Sequence, residues 1–226
     1  MMKKLLIVLP LCVMLNVSLQ AEMEDDPLRA TFMMDRLEVQ ARDDLPLVWD
    51  GRGYMGYDLD KLYFFSEGES VNGDTESQNE VVYSRAITSF WDAQIGVEAD
   101  IAGSESKNWG VIAFQGLSPY FIDTRIRLQA SDEAVAISLD FEYEALLTQR
   151  LILTPRIEMN AYSTNIPRMG YGSGLSSAEI GLRLRYEIRR EFAPYIGLQY
   201  ARTFGNTSKY HYISEGSVIA GLRFWF

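Results

Sequence analysis

Apolar and polar residues alternate strictly along the last quarter of the chain. Counting back in twos from Phe226 gives an unbroken apolar row as far as Val218, while Arg223 falls on the opposite side. The stretch AEIGLRLRYEIR at 178–189 alternates in the same way. Because residues two apart share one face of a strand, both stretches predict β-strands with one apolar face. Strands of about 9 to 11 residues cross a bilayer in tilted barrels, so their length and the aromatic end of the chain favour an outer-membrane barrel over a soluble sheet.

Short alternating segments continue upstream and divide the chain from residue 33 onward. Most connections alternate between tight turns and longer loops, including predicted loops at 71–78 and 102–107, as in bacterial outer-membrane barrels with an even number of strands. Closure also leaves no unpaired strand edge in lipid. We therefore predict an all-β protein, a single transmembrane antiparallel up-and-down β-barrel of 12 strands. The predicted strands are 33–40, 46–57, 60–70, 79–88, 91–101, 108–117, 120–130, 134–145, 149–162, 177–190, 192–203 and 217–226.

The first 32 residues carry the features of export. Residues 1–21 contain two lysines followed by an apolar run, which predicts a signal peptide cleaved after Ala21. Cys12, the single cysteine, lies in this segment, so the mature chain is predicted to have no disulfide and no thiolate metal site. Residues 22–32 are predicted to form a short periplasmic N-terminal arm, and residues 33–226 the outer-membrane β-barrel. An even strand number places both termini on the periplasmic side.

Charged residues fall on the polar face of the predicted strands. An arginine or lysine facing lipid at mid-depth costs about 2 to 4 kcal/mol, so these charges are predicted to line the lumen. Two interpretations stay open, a salt-bridged plug that keeps the barrel rigid and a cation pathway along the acidic strands. Aromatic residues near strand ends are predicted to form interfacial girdles. They include Trp49, Tyr63, Trp91, Trp109, Tyr120, Tyr195 and Trp225.

Net charge and motif content exclude several function classes. Loss of Lys3 and Lys4 with the signal changes the formal net charge from −10 to −12, which disfavours binding to nucleic acid. The chain has one histidine, His211, and no metalloprotease, P-loop or dinucleotide-binding motif. We therefore predict that the protein is not an enzyme. An outer-membrane hydrolase centred on His211 is kept as an alternative that the variant His211→Ala would test.

Methionines are the soft metal ligands of the predicted mature chain. Thioethers select Cu(I), and clusters of two or three methionines hold it. Taken alone, this number of methionines is ordinary, and Met33 and Met34 would be interpreted as packing residues. The methionines are Met23, Met33, Met34, Met55, Met159 and Met169.

Several long segments resemble the outer-membrane copper resistance protein B family. The matching segments begin with WDGRGYMGYDLDKLYFFSEGE at 49–69 and extend in order over about residues 35–226. Among them, LLTQRLIL at 146–153 and GLRLRYEIRREFAPYIG at 181–197 are highly specific. The resemblance implies an outer-membrane barrel of a Gram-negative bacterium that binds copper, serves copper tolerance and works with a periplasmic multicopper oxidase. The family's Met- and His-rich N-terminal segment is reduced here to Met23, Met33 and Met34.

The leading hypothesis is thus a barrel for copper sequestration or export, with Cu(I) favoured. Met33 and Met34 would bind near the periplasmic mouth, with Met23 on the arm and Met55 as an inner contact. Met159 lies on the predicted apolar face, which argues against it. Met169 and His211 fall on long loops and would form a second, exposed site. The alternative, from another functional class, is a non-selective diffusion channel or a structural outer-membrane barrel.

Overall fold

The computed structural model describes residues 26–42 and 44–226. The predicted signal peptide, its cleavage site, Cys12 and Met23 lie outside these residues. Thirteen strands account for most of the described chain. They are β1 (Arg29–Gln40), β2 (Leu47–Gly56), β3 (Asp60–Val71), β4 (Asp74–Ala86), β5 (Trp91–Ala102), β6 (Glu105–Ser118), β7 (Ile122–Ala130), β8 (Val135–Tyr143), β9 (Ala145–Leu146), β10 (Leu151–Tyr162), β11 (Gly174–Tyr186), β12 (Phe192–Thr203) and β13 (Ser214–Trp225).

The strands form one closed antiparallel barrel. Each strand pairs with its neighbours in the chain, and β1 pairs with β13 to close the sheet. β8 and the short β9 both pair with β10 and together make one barrel strand, interrupted at Glu144. Phe226 exchanges two backbone hydrogen bonds with Phe32, at 2.9 and 3.0 Å, so the last residue takes part in the closure. The predicted 12-strand up-and-down barrel is confirmed. No helix among residues 26–42 and 44–226 has the length and apolar character needed to span a membrane.

All 12 predicted strands have a counterpart, and the largest differences lie at their ends. β1 begins at Arg29, so the last four residues of the predicted arm are strand residues. At one end of the barrel, here called the terminal end, lie the first residue of β1 and the last residue of β13. The opposite end is called the distal end, and its longest loops are 163–173 and 204–213.

Two predicted distal loops are tight hairpins instead. Val71 pairs directly with Asp74, and Ala102 with Glu105, so the loops predicted at 71–78 and 102–107 were wrong. Asn72 and Gly73 have φ values of 53° and 95°, the left-handed pair that a two-residue turn requires. Such a turn matches the twist of its flanking strands and lets pairing continue to the hairpin end.

Burial alternates along the strands as the sequence predicted. On β5, Ile95 and Val97 are exposed on the outer face, whereas Gln94, Glu98 and Asp100 are each 2% exposed and face the lumen. An apolar outer face suits lipid, and the polar inner face keeps its charges out of lipid.

Three aromatic residues assigned to the girdles face the inside of the barrel. Tyr63 pairs with fully buried Val82 and stacks on the inward-facing Phe65 at 5.5 Å. Trp109 is 2% exposed and Tyr195 is 5% exposed. Trp109 pairs with the inward-facing Glu98, and paired residues share one face of a sheet. Tyr195 donates a hydrogen bond to buried Glu38 at 2.9 Å. The parity of the strand therefore overrides the preference of these rings for an interface.

A β-bulge in β1 changes which residues face inward. Met34 pairs with Gly51 while Arg36 pairs with Asp50, which leaves Asp35 as the extra residue. The bulge turns Asp35 and Arg36 toward the lumen together, because the alternation is interrupted there. Met33 and Glu38 consequently face the same interior although their positions differ by an odd number.

Candidate functional site

The lumen near the terminal end is a small cavity with almost balanced charge. Its volume is about 190 Å³, and we call it the terminal chamber. Nine carboxylates and eight arginines line it. The carboxylates are Asp35, Asp50, Glu67, Glu80, Glu98, Asp123, Asp140, Glu142 and Glu144. The arginines are Arg36, Arg52, Arg125, Arg127, Arg156, Arg183, Arg185 and Arg223.

Ion pairs cross this chamber between strands that are not neighbours in the sheet. Arg156 of β10 lies 3.2 Å from Asp50 of β2, and Arg127 of β7 lies 3.5 Å from Glu67 of β3. Arg36 contributes a third crossing pair. We call this set the transverse layer. Because each pair joins strands that lie at least three places apart in the barrel, the layer carries paired charge into the lumen.

The buried carboxylate of Glu38 links β1 to strands β11 and β12, which lie beyond β13 in the closed sheet. Glu38 on β1 accepts hydrogen bonds from Arg183 on β11 at 3.0 and 3.1 Å and from Tyr195 on β12. Glu38 is fully buried and Arg183 is 6% exposed. Charge-assisted hydrogen bonds of this kind are stronger than neutral ones, so this triad fixes β1 against β11 and β12.

The lumen near the distal end is larger and strongly acidic. Its volume is about 550 Å³, and we call it the distal chamber. Eight carboxylates line it, against two arginines, Arg36 and Arg42. The carboxylates are Glu67, Glu69, Asp74, Glu76, Asp100, Glu158, Glu179 and Glu215. A chamber with low-dielectric walls and one predominant sign of charge concentrates ions of the opposite sign, here cations.

The loop 163–173 folds into the mouth of the distal chamber. Its Met169 is 8% exposed and belongs to a cluster around Trp109, and the ring of its Tyr171 stacks on Tyr162 at 4.4 Å. The Tyr171 hydroxyl donates to Asp100 at 3.2 Å. Burial raises the pKa of the Tyr171 phenol well above its ordinary value, so the phenol stays protonated and acts as a donor.

A second loop, 204–213, packs against the first. The backbone N–H of Gly172 donates to Thr207 Oγ1 at 2.9 Å, and Asn206 Nδ2 donates to Ser173 Oγ at the same distance. An ideal β-carbon built on Gly170 would lie 3.7 Å from the β-carbon of His211. The histidine therefore sits beside the residue that follows Met169.

The structure separates the two methionines predicted at the mouth. Met33 faces the lumen at the terminal end, where Arg52 and Arg223 place guanidinium nitrogens 3.3 and 3.6 Å from its sulfur. Met34 pairs with Gly51 and faces outward, as its side chain packs over that glycine. The bulge after Met34 does not bring the two sulfurs together, and Met33 lies between cations.

The other predicted ligands divide between the outer face and the distal chamber. Met55 is 53% exposed and points outward, and Met159 pairs with Leu139 on the apolar face. Met169 and His211, by contrast, line the same distal chamber. In the described part of the chain, no three His, Cys, Asp or Glu side chains are arranged to hold a metal ion. A site here therefore depends on the methionine sulfur or on a movement of the loops.

One residue of this chamber was missed as a possible ligand. The alternation of β5 puts Asp100 on the inner face of the strand, but nothing in the sequence distinguishes it from other inward carboxylates. Its Oδ2 accepts from Trp109 Nε1 at 2.8 Å and from Tyr171, while its buried Oδ1 has no hydrogen-bond partner within the described residues.

Solved structures with a similar fold are outer-membrane barrels. NanC porin superposes with a TM-score of 0.57 at 12% identity, covering 87% of this chain and 99% of that one. KdgM porin superposes with a TM-score of 0.50 at 12% identity and the same coverage. At this level of identity the likeness establishes the fold alone. A closed barrel of this type indicates an outer-membrane location.

Sequence comparison gives the family. The family described as Copper resistance protein B precursor matches residues 28–226. The copper resistance protein B homolog of Pseudomonas syringae pv. tomato is 37% identical over 91% of this chain and 72% of its own length. Copper resistance protein B of Escherichia coli is 38% identical over 89% of this chain and 71% of its own length. The resemblance of the sequence segments is thus confirmed, and the chain belongs to the copper resistance protein B family.

Proposed function

We propose that this barrel binds copper ions in its lumen and supports copper resistance by sequestering them at the outer membrane or passing them across it. Membership of the family supports a role in copper resistance, and the porin-like fold supports a non-enzymatic protein. The observation that supports copper binding in the lumen is the acidic lining of the distal chamber, with eight carboxylates against two arginines. That excess concentrates cations next to a thioether and an imidazole.

Charge favours the distal chamber over Met33 as the place where copper binds. Two guanidiniums flank the Met33 sulfur, and a copper ion there would be repelled by both. The distal chamber offers Met169 and His211 in an environment of excess negative charge. Thioether, imidazole and carboxylate together suit both Cu(I) and Cu(II).

An anaerobic titration of the purified barrel with Cu(I), against a competing chelator, tests the proposal. We expect the parent protein to bind copper and the combined variant Glu69→Gln, Glu76→Gln and Glu215→Gln to bind it more weakly. The matched control, Asp123→Asn with Glu142→Gln, removes carboxylates from the terminal chamber and should bind as the parent does. A parent protein that leaves all copper with the chelator would overturn the proposal.

The same titration tests the N-terminal arm. A chain that begins at Arg29 lacks Met23 but keeps all of β1. Binding that is lost in this shorter chain would place the site on the arm. Binding that is retained would place it in the barrel, as proposed.

We also propose that both termini face the periplasm. The longest loops, 163–173 and 204–213, lie at the distal end, and barrels of this type carry their longer loops outside the cell. A membrane-impermeant maleimide should label Ser208→Cys but not Asp58→Cys in intact cells, since Cys12 is the one native cysteine. The opposite labelling would reverse the orientation. With both termini in the periplasm, a periplasmic multicopper oxidase would meet the terminal end.

A further inference from the structure

We propose that Met169, His211 and the free oxygen of Asp100 form one copper site at the mouth of the distal chamber. This inference deepens the proposed function and rests on it. It names three donors from three separate elements, the loop 163–173, the loop 204–213 and strand β5. All three residues line the same chamber.

The buried state of Asp100 is the first support. Its carboxylate is 2% exposed and faces the lumen, and donors from Trp109 and Tyr171 satisfy only Oδ2. Oδ1 is buried with no hydrogen-bond partner in the described part of the chain. An unsatisfied buried acceptor is costly, and the carboxyl group of buried Glu98 lies within hydrogen-bonding reach of Asp100. Positive charge between these two groups, as a bound cation or as a shared proton, would relieve the cost. The two donors on Oδ2 also fix the orientation of the carboxylate, as outer hydrogen bonds do for metal ligands.

The convergence of the two loops is the second support. Hydrogen bonds between Gly172 and Thr207 and between Asn206 and Ser173 hold the loops together. They place His211 next to Gly170, one residue after Met169. Met169 packs in the cluster around Trp109, the same indole that donates to Asp100. Trp109 therefore links the thioether side of the site to its carboxylate side.

The chemistry of the three donors fits copper better than a hard cation. Calcium and magnesium are bound by oxygen ligands, and a site for them would use neither sulfur nor imidazole. Thioether selects Cu(I), imidazole binds both copper oxidation states, and carboxylate suits Cu(II). A set with one donor of each kind accepts copper in either state.

The single histidine of the chain permits a direct spectroscopic test. The full barrel, purified without a histidine tag, is loaded with one equivalent of CuCl₂ and measured by electron paramagnetic resonance. We expect splitting from one imidazole nitrogen, and its loss in His211→Ala. A Cu(II) spectrum without imidazole coupling in the parent protein would overturn the assignment of His211.

Anaerobic Cu(I) titration of the same protein tests the other two donors. Met169→Leu and Asp100→Asn should each weaken Cu(I) binding by about tenfold or more. Loss of even an outer hydrogen-bond partner of a metal ligand lowers metal affinity by about 10- to 100-fold. Met55→Leu and Met159→Leu remove thioethers from the outer face and should leave the affinity unchanged. Parent-like affinity in Met169→Leu and His211→Ala would overturn this site while leaving luminal copper binding intact. Absence of binding in the parent would instead overturn the proposed function.

Discussion

Glu38→Gln is the substitution from which we expect the largest loss of stability in the lumen. Glu38 is fully buried and accepts three hydrogen bonds, two from Arg183 and one from Tyr195. The glutamine keeps the shape and one acceptor but removes the charge. Arg183 is then left buried with neutral acceptors only, the amide oxygen introduced at position 38 and that of Gln199 at 3.0 Å. Its Nη1 already has no partner within the described residues.

The expected cost follows from the burial of both partners. Removing one member of a buried pair leaves an uncompensated charge, which costs about 3 to 5 kcal/mol. The matched control is Glu215→Gln, because Glu215 lies 2.9 Å from Arg42 but its side chain is 47% exposed. An exposed pair contributes about 0 to 1 kcal/mol. The two variants thus remove the same chemical group from pairs of similar length and differ in burial.

The free energy of unfolding is measured by guanidinium titration of the barrel in lipid vesicles, followed by the fluorescence of its four tryptophans. A double variant, Glu38→Gln with Arg183→Met, should regain much of the loss, because it removes the uncompensated guanidinium. Equal and small losses in Glu38→Gln and Glu215→Gln would refute the reasoning. They would mean that water reaches the triad and screens its charges.

Three further predictions concern the lipid face, the transverse layer and a distal turn. Val97→Arg puts a charge on the outer face and should cost about 2 to 4 kcal/mol in the same vesicle titration, whereas Val97→Leu should cost little. Asp50→Ala removes the carboxylate that Arg156 reaches across the lumen and should raise conductance in planar bilayers; an unchanged conductance would show that the layer does not close the lumen. A hydrogen bond from Lys107 lowers the pKa of Glu133 at the distal turn. The stabilisation that ionised Glu133 provides is therefore present at neutral pH and is lost as the pH falls below the ordinary glutamate pKa of about 4.3. Glu133 also pairs with Arg168 of the loop 163–173 at 2.7 Å. The protection factors of the amides in that loop, which are corrected for the intrinsic pH dependence of exchange, should therefore fall in acid in the parent, and Glu133→Gln should abolish that change.

The barrel was predictable because two-residue alternation records the face of each side chain. Every strand of the barrel has lipid on one side and a charged lumen on the other. The alternation of apolar and polar residues in β5 and β11 was therefore enough to predict which side chains face lipid and which face the lumen. The alternation fails where the backbone departs from it. The bulge at Asp35 adds one residue to β1, and nothing in the local sequence announces it. Met33 and Met34 precede the bulge and face opposite sides because consecutive residues of a strand alternate, so the predicted methionine pair does not form.

The candidate site was less predictable than the fold because its parts come from distant segments. The sequence identified Met169 and His211 as residues of two long loops. It could not show that the loops pack together through Gly172 and Thr207, since that contact depends on neighbouring strands at the end of a closed barrel. The free oxygen of Asp100 depends in turn on where Trp109 and Tyr171 place their donors. The hydrogen bonds that this carboxylate accepts depend on how distant side chains pack, and packing of that kind leaves no periodic pattern in the sequence.

The division of charge along the lumen constrains how a copper ion would move through it. An ion in the distal chamber is surrounded by excess carboxylate, but its path toward the terminal end meets the transverse layer, where Arg36, Arg127 and Arg156 are already paired. To pass, the ion must take carboxylates from these guanidiniums and leave cations unpaired in a closed space, which is costly. Sequestration needs no such exchange. The arrangement therefore favours copper held on the distal side, and release across the barrel would require the transverse layer to rearrange first.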